Sequence, residues 1–441
     1  MSLLDKPEAQ VLLDDANVTA DTVRGCADRL TGFLQRYVPH FYRTEHRTNA
    51  TRVIRGLISG LERKTCEPIA IAAKLPRKPI QSFVGSGKWD DEAVMTELRL
   101  HVREALAEPD GVVVIDPSAF PKKGTHSCGV ARQWCGRLGK VDNCQVGVFL
   151  VYAAKAGYAP LDRQLYLPGE WAKDKARRKE CHVPAKVQFQ EKWQIALDLL
   201  GRSLPDLPHG RIAADDEFGR VSQFRAELRS RKEQYILDVP CDTLVRDREK
   251  RRPPRKHAGV GRKREVPFQR VGEWAKNQPQ SRWERLTVRD GEKGPLEVDA
   301  MTVRVRTKEE GRVGPEERLV VMRNVGESGI DYALSNAAAE VPLIEMVRAQ
   351  RQRHRIEEFF GAGKGDAGLG HYEVRSWVGW HHHMTLAMVA MWFLSSERRR
   401  VGGENPGRDA VAVASDLHAA TALPGSDGRG DRGRSHSCVA A

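Results

Sequence analysis

Three carboxylates stand out for where the chain places them. Asp116 directly follows the apolar run Val112-Val113-Val114-Ile115 in VVVIDPSAFPKKG, and Asp215 directly follows RIAA (211–214) in AADDEFGR. Each leaves the carboxyl end of a predicted buried strand, the edge at which ligands of α/β sheets bind. Glu357 lies in RQRHRIEEFFGAGKGDAGLGHYEVRSW, four residues after Arg353 and seven before Lys364. On a helix these offsets put all three on one face, with Ile356, Phe359 and Phe360 on the buried side. Two strand-end carboxylates and one on a late helix make a workable cage for two hard divalent cations. Mg²⁺, with Mn²⁺ as a substitute, takes carboxylate, water and phosphate oxygens. Two such ions about 3.5–4 Å apart activate a water and stabilise the leaving oxygen of a phosphodiester. Plainer readings stand beside each residue. Asp116 is also a turn former before Pro117. Asp215 is also an N-cap for the helix that follows, and Asp216 and Glu217 compete for either role. Arg353 and Glu357 are also an i,i+4 surface ion pair.

Hydrophobic periodicity supplies the elements that must position these groups. Asp21 to Tyr37, Thr51 to Arg63 and Asp91 to Ala107 carry apolar residues at helical spacing, so residues 1–108 read as a small helical N-terminal domain, assigned to DNA binding. From Gly111 the pattern alternates. Strands are predicted at Val112–Ile115, Gln145–Tyr152, Gln164–Leu167, Arg211–Ala214 and Tyr235–Val239, with helices at Val187–Leu200 and Arg220–Lys232. That alternation argues a mixed α/β sheet covered by helices. Strand patterns at Leu286–Val288, Val298–Val305 and Arg318–Met322 place a β-rich insertion over 241–339, and a helical pattern resumes at Glu345. The catalytic core is expected over 109–240 and 340–396, ending in the strongly apolar Thr385–Leu394. Residues 397–441, rich in Gly, Asp, Arg and Ser without a sustained period, read as a disordered tail.

Charge points to the substrate. Lys+Arg is 72 against Asp+Glu 59, a net of +13 with pI about 9.4, which suits a polyanionic partner. Residues 246–270 hold eleven Lys/Arg against three acids and read as an exposed loop tracking a DNA backbone, with Arg251, Arg252, Arg255 and Lys256 in contact. Lys122 and Lys123, just after Asp116, are candidate phosphate contacts. Trp274 and Trp283 beyond the loop suit either the core of the insertion or stacking on an unpaired base. His126, Cys128, Cys135 and Cys144 lack the spacing of a zinc finger or ribbon. The run His381-His382-His383 reads as a helix surface with one His toward DNA. No stretch nears the roughly 18 apolar residues of a membrane span. The acidic, broken N-terminus does not read as a signal peptide. Eight cysteines without a CxxC pair fit free thiols in a reducing cytosol. A carboxylate-pair glycosidase is disfavoured by the basic charge and by the Arg353–Glu357–Lys364 spacing.

The stretches IDPSAFPKKG, AADDEFGR and RIEEFFGAGKGDAGLGHYEVRSWVGW together resemble bacterial insertion-sequence transposases of the DDE type. The last is similar to the Y-x2-R-x3-E-x6-K signature of one group of them. Arg353, Glu357 and Lys364 fit that signature, and Gln350 departs from it by standing where the Tyr would be. The resemblance covers about residues 20–395. It implies an RNase H-like core, Asp116, Asp215 and Glu357 as ligands of two Mg²⁺ ions, and Arg353 and Lys364 on DNA phosphates. The activity it implies is cleavage of transposon-end DNA followed by strand transfer from the freed 3′-hydroxyl. Its partners would be terminal inverted repeats and target DNA, bound by a homodimer at the nucleoid in the cytoplasm. The alternative is a catalytically inactive DNA-binding relic of such an enzyme.

Overall fold

A computed structural model describes residues 25–252, 265–289 and 295–402. Five helices come first: α1 (Cys26–Leu34), α2 (Thr44–Ile58), α3 (Cys66–Ala72), α4 (Arg77–Ser86) and α5 (Asp91–Leu106). Asp90 caps α5 by accepting from the Glu92 and Ala93 backbone N–H groups. Val94, Leu98 and Val102 recur every four residues and are buried. These helices do not keep a core to themselves. Leu30, Leu57, Val84 and Leu98 share one apolar cluster with Val113 of the sheet and Trp392 of the last helix.

The sheet begins with β1 (Val112–Pro121), β2 (Ala131–Cys135), β3 (Lys140–Ala154) and β4 (Gly157–Leu165). Helices α6 (Gly169–Lys173), α7 (Lys175–Glu180) and α8 (Lys192–Ser203) follow, then β5 (Arg211–Ala214), α9 (Asp216–Gly219), α10 (Ser222–Ser230) and β6 (Tyr235–Asp238). β1 is central. It pairs antiparallel with β3 and parallel with β5, β5 pairs parallel with β6, and β4 pairs antiparallel with β3. The order β4-β3-β1-β5-β6, flanked by helices, is the RNase H-like α/β core. The unbroken apolar runs of β1 and β5 suit strands covered on both faces.

Next come β7 (Leu244–Asp247), β8 (Gln269–Arg270), α11 (Val271–Lys276), β9 (Glu284–Arg289), β10 (Leu296–Glu309), β11 (Arg312–Asn324) and β12 (Asp331–Ser335). β12 pairs antiparallel with β6, so these strands extend the catalytic sheet instead of standing apart from it. They carry their own apolar cluster around Val245, Val303 and Leu319, with Trp274 inside it and its indole N–H on Asp247 at 2.9 Å. Arg225 of α10 is buried between Glu317 (3.1 Å) and Glu309, tying the two parts together.

The described residues end in α12 (Leu343–Arg351), α13 (His354–Gly365) and α14 (Trp377–Gly402). Two sequence expectations need correction here. His381, His382 and His383 are all buried, and their rings bond the carbonyls of Trp377, of Val84 and Trp89, and of Gly368. None faces solvent, because α14 is surrounded by α2, α4, α5 and β4 and has no polar face at that level. Helix α14 also runs six residues past Ser396, where the tail was expected to start. Glu397 is buried and ion-paired with Arg29 (2.8 Å) and Arg400 (3.0 Å). The remainder of the expected tail, 403–441, lies outside the described residues.

Candidate active site

The register of the parallel strands decides the site. Ile115 of β1 sits opposite Ala214 of β5, and Ala214 opposite Leu237 of β6. The next residue on each strand is an aspartate: Asp116, Asp215 and Asp238. Three carboxylates therefore stand in one row across the carboxyl end of the sheet, neighbours separated by about one strand spacing of 4.8 Å. β1 does not stop at Ile115, as its composition suggests. It continues to Pro121 in antiparallel pairing with β3, so Asp116 lies within a strand, opposite Phe149.

Asp215 does both jobs that the sequence offers. Its Oδ1 accepts from the Glu217 backbone N–H at 3.1 Å, capping the short α9, while the carboxylate stays in the row. The helix it caps is pressed against β6. A Cβ on Gly219 would fall 1.9 Å from the Asp238 carbonyl oxygen, so only glycine fits there. Glu217 is drawn aside by Lys192 at 2.6 Å, and Asp216 by Arg220 at 3.0 Å. That leaves Asp215 as the α9 carboxylate turned to the row.

Crowding acts on every acid of the row. Burial and then the Asp215 charge push the Asp116 carboxyl well above its usual range, with Glu357 and Glu217 adding to the effect. Burial and Glu217 raise Asp215 to about 6. Burial also raises Asp238 to about 6, against the pull of Arg353 and a hydrogen bond from Gln350. The single guanidinium among them is Arg353. Its Nε lies 3.0 Å from Asp238 Oδ2, and Asp116, Asp215 and Glu357 are all within its electrostatic reach. Burial disfavours its charge, and the four carboxylates outweigh that.

Glu357 comes from α13. Arg353 is the N-cap of that helix and has helical dihedrals (φ −55°, ψ −31°), so it stands one turn before Glu357. Glu357 is exposed and accepts from, or shares a proton with, His354 Nδ1 at 3.0 Å. Its neighbour Glu358 is engaged by Arg355 at 2.8 Å. Lys364 leans over the Phe120 and Phe360 rings, and its ammonium is lowered by burial and by Arg137, against Asp116.

The other basic residues divide. Lys122 is pinned: its ammonium lies 3.4 Å over the Tyr372 ring and donates to the Tyr372 carbonyl at 3.1 Å, and burial lowers it to about 8. Lys123 is exposed. Arg251 and Arg252 are exposed, with Arg252 3.5 Å from Glu265. Arg255 and Lys256 lie outside the described residues.

Asp238 and Gln350 are the groups that sequence reasoning passed over. The signal was there, since YILD repeats the pattern of VVVID and RIAAD: a short apolar strand ending in Asp. Gln350 is buried on α12 and donates to Asp238 at 3.0 and 3.3 Å, which gives the departing signature position a visible task.

In type, Asp116 and Asp215 suit a hard divalent cation. They are adjacent oxygen donors whose mutual repulsion only Arg353 now offsets. Among the described residues, no three His, Cys, Asp or Glu side chains stand close enough together to hold a metal ion as they lie, and the Glu357 carboxylate is bonded to His354. Asp116 and Asp215 are thus the two residues that would hold a cation, and the ion would supply Lewis-acid activation of a phosphodiester and of water.

The family model described as DDE superfamily endonuclease matches residues 36–295. That is more than half of the 441 residues, and the chain belongs to this family. The matched stretch includes Asp116, Asp215 and Asp238 and ends before Glu357. The chain is also 37% identical over 129 residues to a protein of Microchaete diplosiphon named as the probable transposase for insertion sequence element IS701. That likeness spans 28% of this chain and 33% of the relative, so it reaches about a third of the relative's length. Among solved structures, a piggyBac transposase synaptic complex with hairpin DNA is similar at a TM-score of 0.43 and 10% identity, over 86% of this chain and 71% of that one.

Proposed function

We propose that this chain is a DNA transposase that cleaves transposon ends and transfers the freed strand with two Mg²⁺ ions, or Mn²⁺ in their place. The observation that carries the reading is the pair Asp116 and Asp215, side by side at the carboxyl ends of parallel strands, in a protein of net charge +13. Glu357, one turn along α13 from Arg353, would complete the ligand set by rotating away from His354. The family match and the relative named as a probable transposase support the same activity. The helical segment before the sheet and the 246–270 stretch would hold duplex DNA, as would Lys123 and Lys364. A homodimer on paired terminal repeats, at the nucleoid in the cytoplasm, is the assembly this chemistry needs. Among the described residues no helix is long and apolar enough to cross a membrane.

One observation favours the second reading, an inactive DNA-binding relic: the Glu357 carboxylate is already bonded to His354. Nicking of duplexes that carry the inverted repeats flanking this reading frame separates the two. The transposase reading expects Mg²⁺- and Mn²⁺-dependent nicks that are abolished in Asp116→Asn, Asp215→Asn and Glu357→Gln and retained in Glu358→Gln, with DNA binding kept in all four. Binding without nicking in the wild type would leave the relic. Loss in Glu358→Gln instead of Glu357→Gln would shift the helix register by one.

A further inference from the structure

The hairpin of β2 and β3 carries a surface that the reading above does not use. Trp134 and Val141 are direct cross-strand partners, and they are 61% and 52% exposed. Leu138, in the turn between them, is 43% exposed. The opposite face of the same hairpin is fully satisfied: Cys135 and Cys144 are buried against Ala119 and Val146. Alternation along the strands therefore fixes Trp134 outward, and the residue is not a misplaced core group. The hairpin is also held in shape. Gly139 closes the turn at φ 62°, and Gln133 donates to the Cys144 carbonyl at 2.9 Å.

The surroundings of this indole say what it meets. Arg132 lies two residues before it on the same outward face, and Arg137 is exposed in the turn, while Lys140, opposite Cys135, leaves the other face. The only acid of the hairpin, Asp142, is 3.3 Å from Lys140. Arg137 sits in a turn that packs against β1, the strand that carries Asp116, and Lys364 lies over the Phe120 ring of that same strand. A line of positive charge thus leads from the aspartate row to the hairpin tip, with a flat aromatic face beside it. Cations that track a backbone next to a ring on which a base stacks are the two parts of a single-strand site. A second copy of this face would match the apolar surface but bring arginines against Arg132 and Arg137 with no opposing charge.

We infer that Trp134, backed by Val141 and flanked by Arg132 and Arg137, is a stacking platform for an unpaired base of the DNA strand beside the cleavage site. This rests on the transposase reading. It adds a requirement that duplex binding alone does not make: the strand end next to the scissile phosphate must be opened, and the hairpin holds the opened base.

The test uses the full chain and two DNAs of one sequence, one fully paired and one with two unpaired bases at one end, the first of them 2-aminopurine. Wild-type protein should quench the 2-aminopurine and bind the opened DNA more tightly than the paired one. Trp134→Ala should lose the quenching and weaken opened-DNA binding by about tenfold, the worth of one stacked base. Its affinity for paired DNA should change less than twofold, and Trp134→Phe should keep most of both signals. Melting curves of both variants should match the wild type, since an exposed side chain is removed. Equal affinities of wild type and Trp134→Ala for opened DNA would overturn the inference while leaving the transposase reading intact. So would a shift of oligomeric state in Trp134→Ala with quenching preserved, which would make the face a contact between copies. Failure of the wild type to bind either DNA would overturn both.

Discussion

A buried aspartate crowded by other acids destabilises the fold when it is charged. Asp215 titrates near 6 in the fold, above the about 3.9 of an unfolded chain. Its contribution is therefore fully stabilising below about pH 4 and is lost as the pH rises through about 6. Asn keeps the N-cap to Glu217 and removes the repulsion. Asp215→Asn should accordingly be more stable than the wild type at pH 8 in EDTA, by about 1–3 kcal/mol, with the gap closing near pH 4. Added Mg²⁺ should raise the melting temperature of the wild type and leave that of Asp215→Asn nearly unchanged. A wild type indifferent to Mg²⁺ would argue against a cation at this pair. Asp238 makes a different prediction, because it reaches the row through Arg353. Asp238→Asn and Arg353→Gln should each slow nicking by about tenfold or more, and the double variant should be no worse than the poorer single, the mark of two groups acting as a unit. Additive losses would mean that Asp238 does not work by positioning Arg353.

Among the elements, two junctions set the geometry. Helix α9 can cap on Asp215 only because Gly219 lets it lie against β6. Gly219→Ala should cost about 3 kcal/mol and move Asp215, so cleavage should fall more than DNA binding does. The second junction is the end of α14. Glu397 bonds Arg29 of α1, joining the first described helix to the last. A chain cut after Ser396 should be less stable than one cut after Gly402 by at least the about 1–3 kcal/mol expected for Glu397→Ala, since the cut also removes Arg398 and its bond to Asp366. Equal melting of the two truncations would show that the pair contributes nothing.

For the whole molecule, the charge of +13 should make DNA affinity fall with salt, each phosphate contact adding a slope of about −0.9 in log K against log salt. Neutralising Arg251, Arg252, Arg255 and Lys256 together should flatten that slope by up to about 3.6. An unchanged slope would remove this stretch from the interface. How much of this was open to a reader of the sequence varies with the range of the interactions involved. Apolar runs located β1, β5 and β6, because a strand buried on both faces must be apolar throughout, and the same runs marked Asp116 and Asp215 as what comes next. The pattern of YILD said as much of Asp238, yet an aspartate at a strand end has meaning only when the neighbouring strands and their register are known. Alternation of strand and helix patterns gave the α/β class, since it depends on local periodicity, but left Trp274 open between core and surface. It did not give the break between α12 and α13 just before Arg353, nor the burial of the three histidines on α14. It also did not give the continuation of that helix to Glu397 or the outward face of Trp134. Those depend on which surfaces meet: backbone carbonyls from α4 and from the Gly368 turn satisfy the histidines, and an arginine far away in sequence holds Glu397. Periodicity along the chain records how each segment must face its surroundings. Only the folded sheet, by setting Ile115, Ala214 and Leu237 in one row, decides which carboxylates share a site.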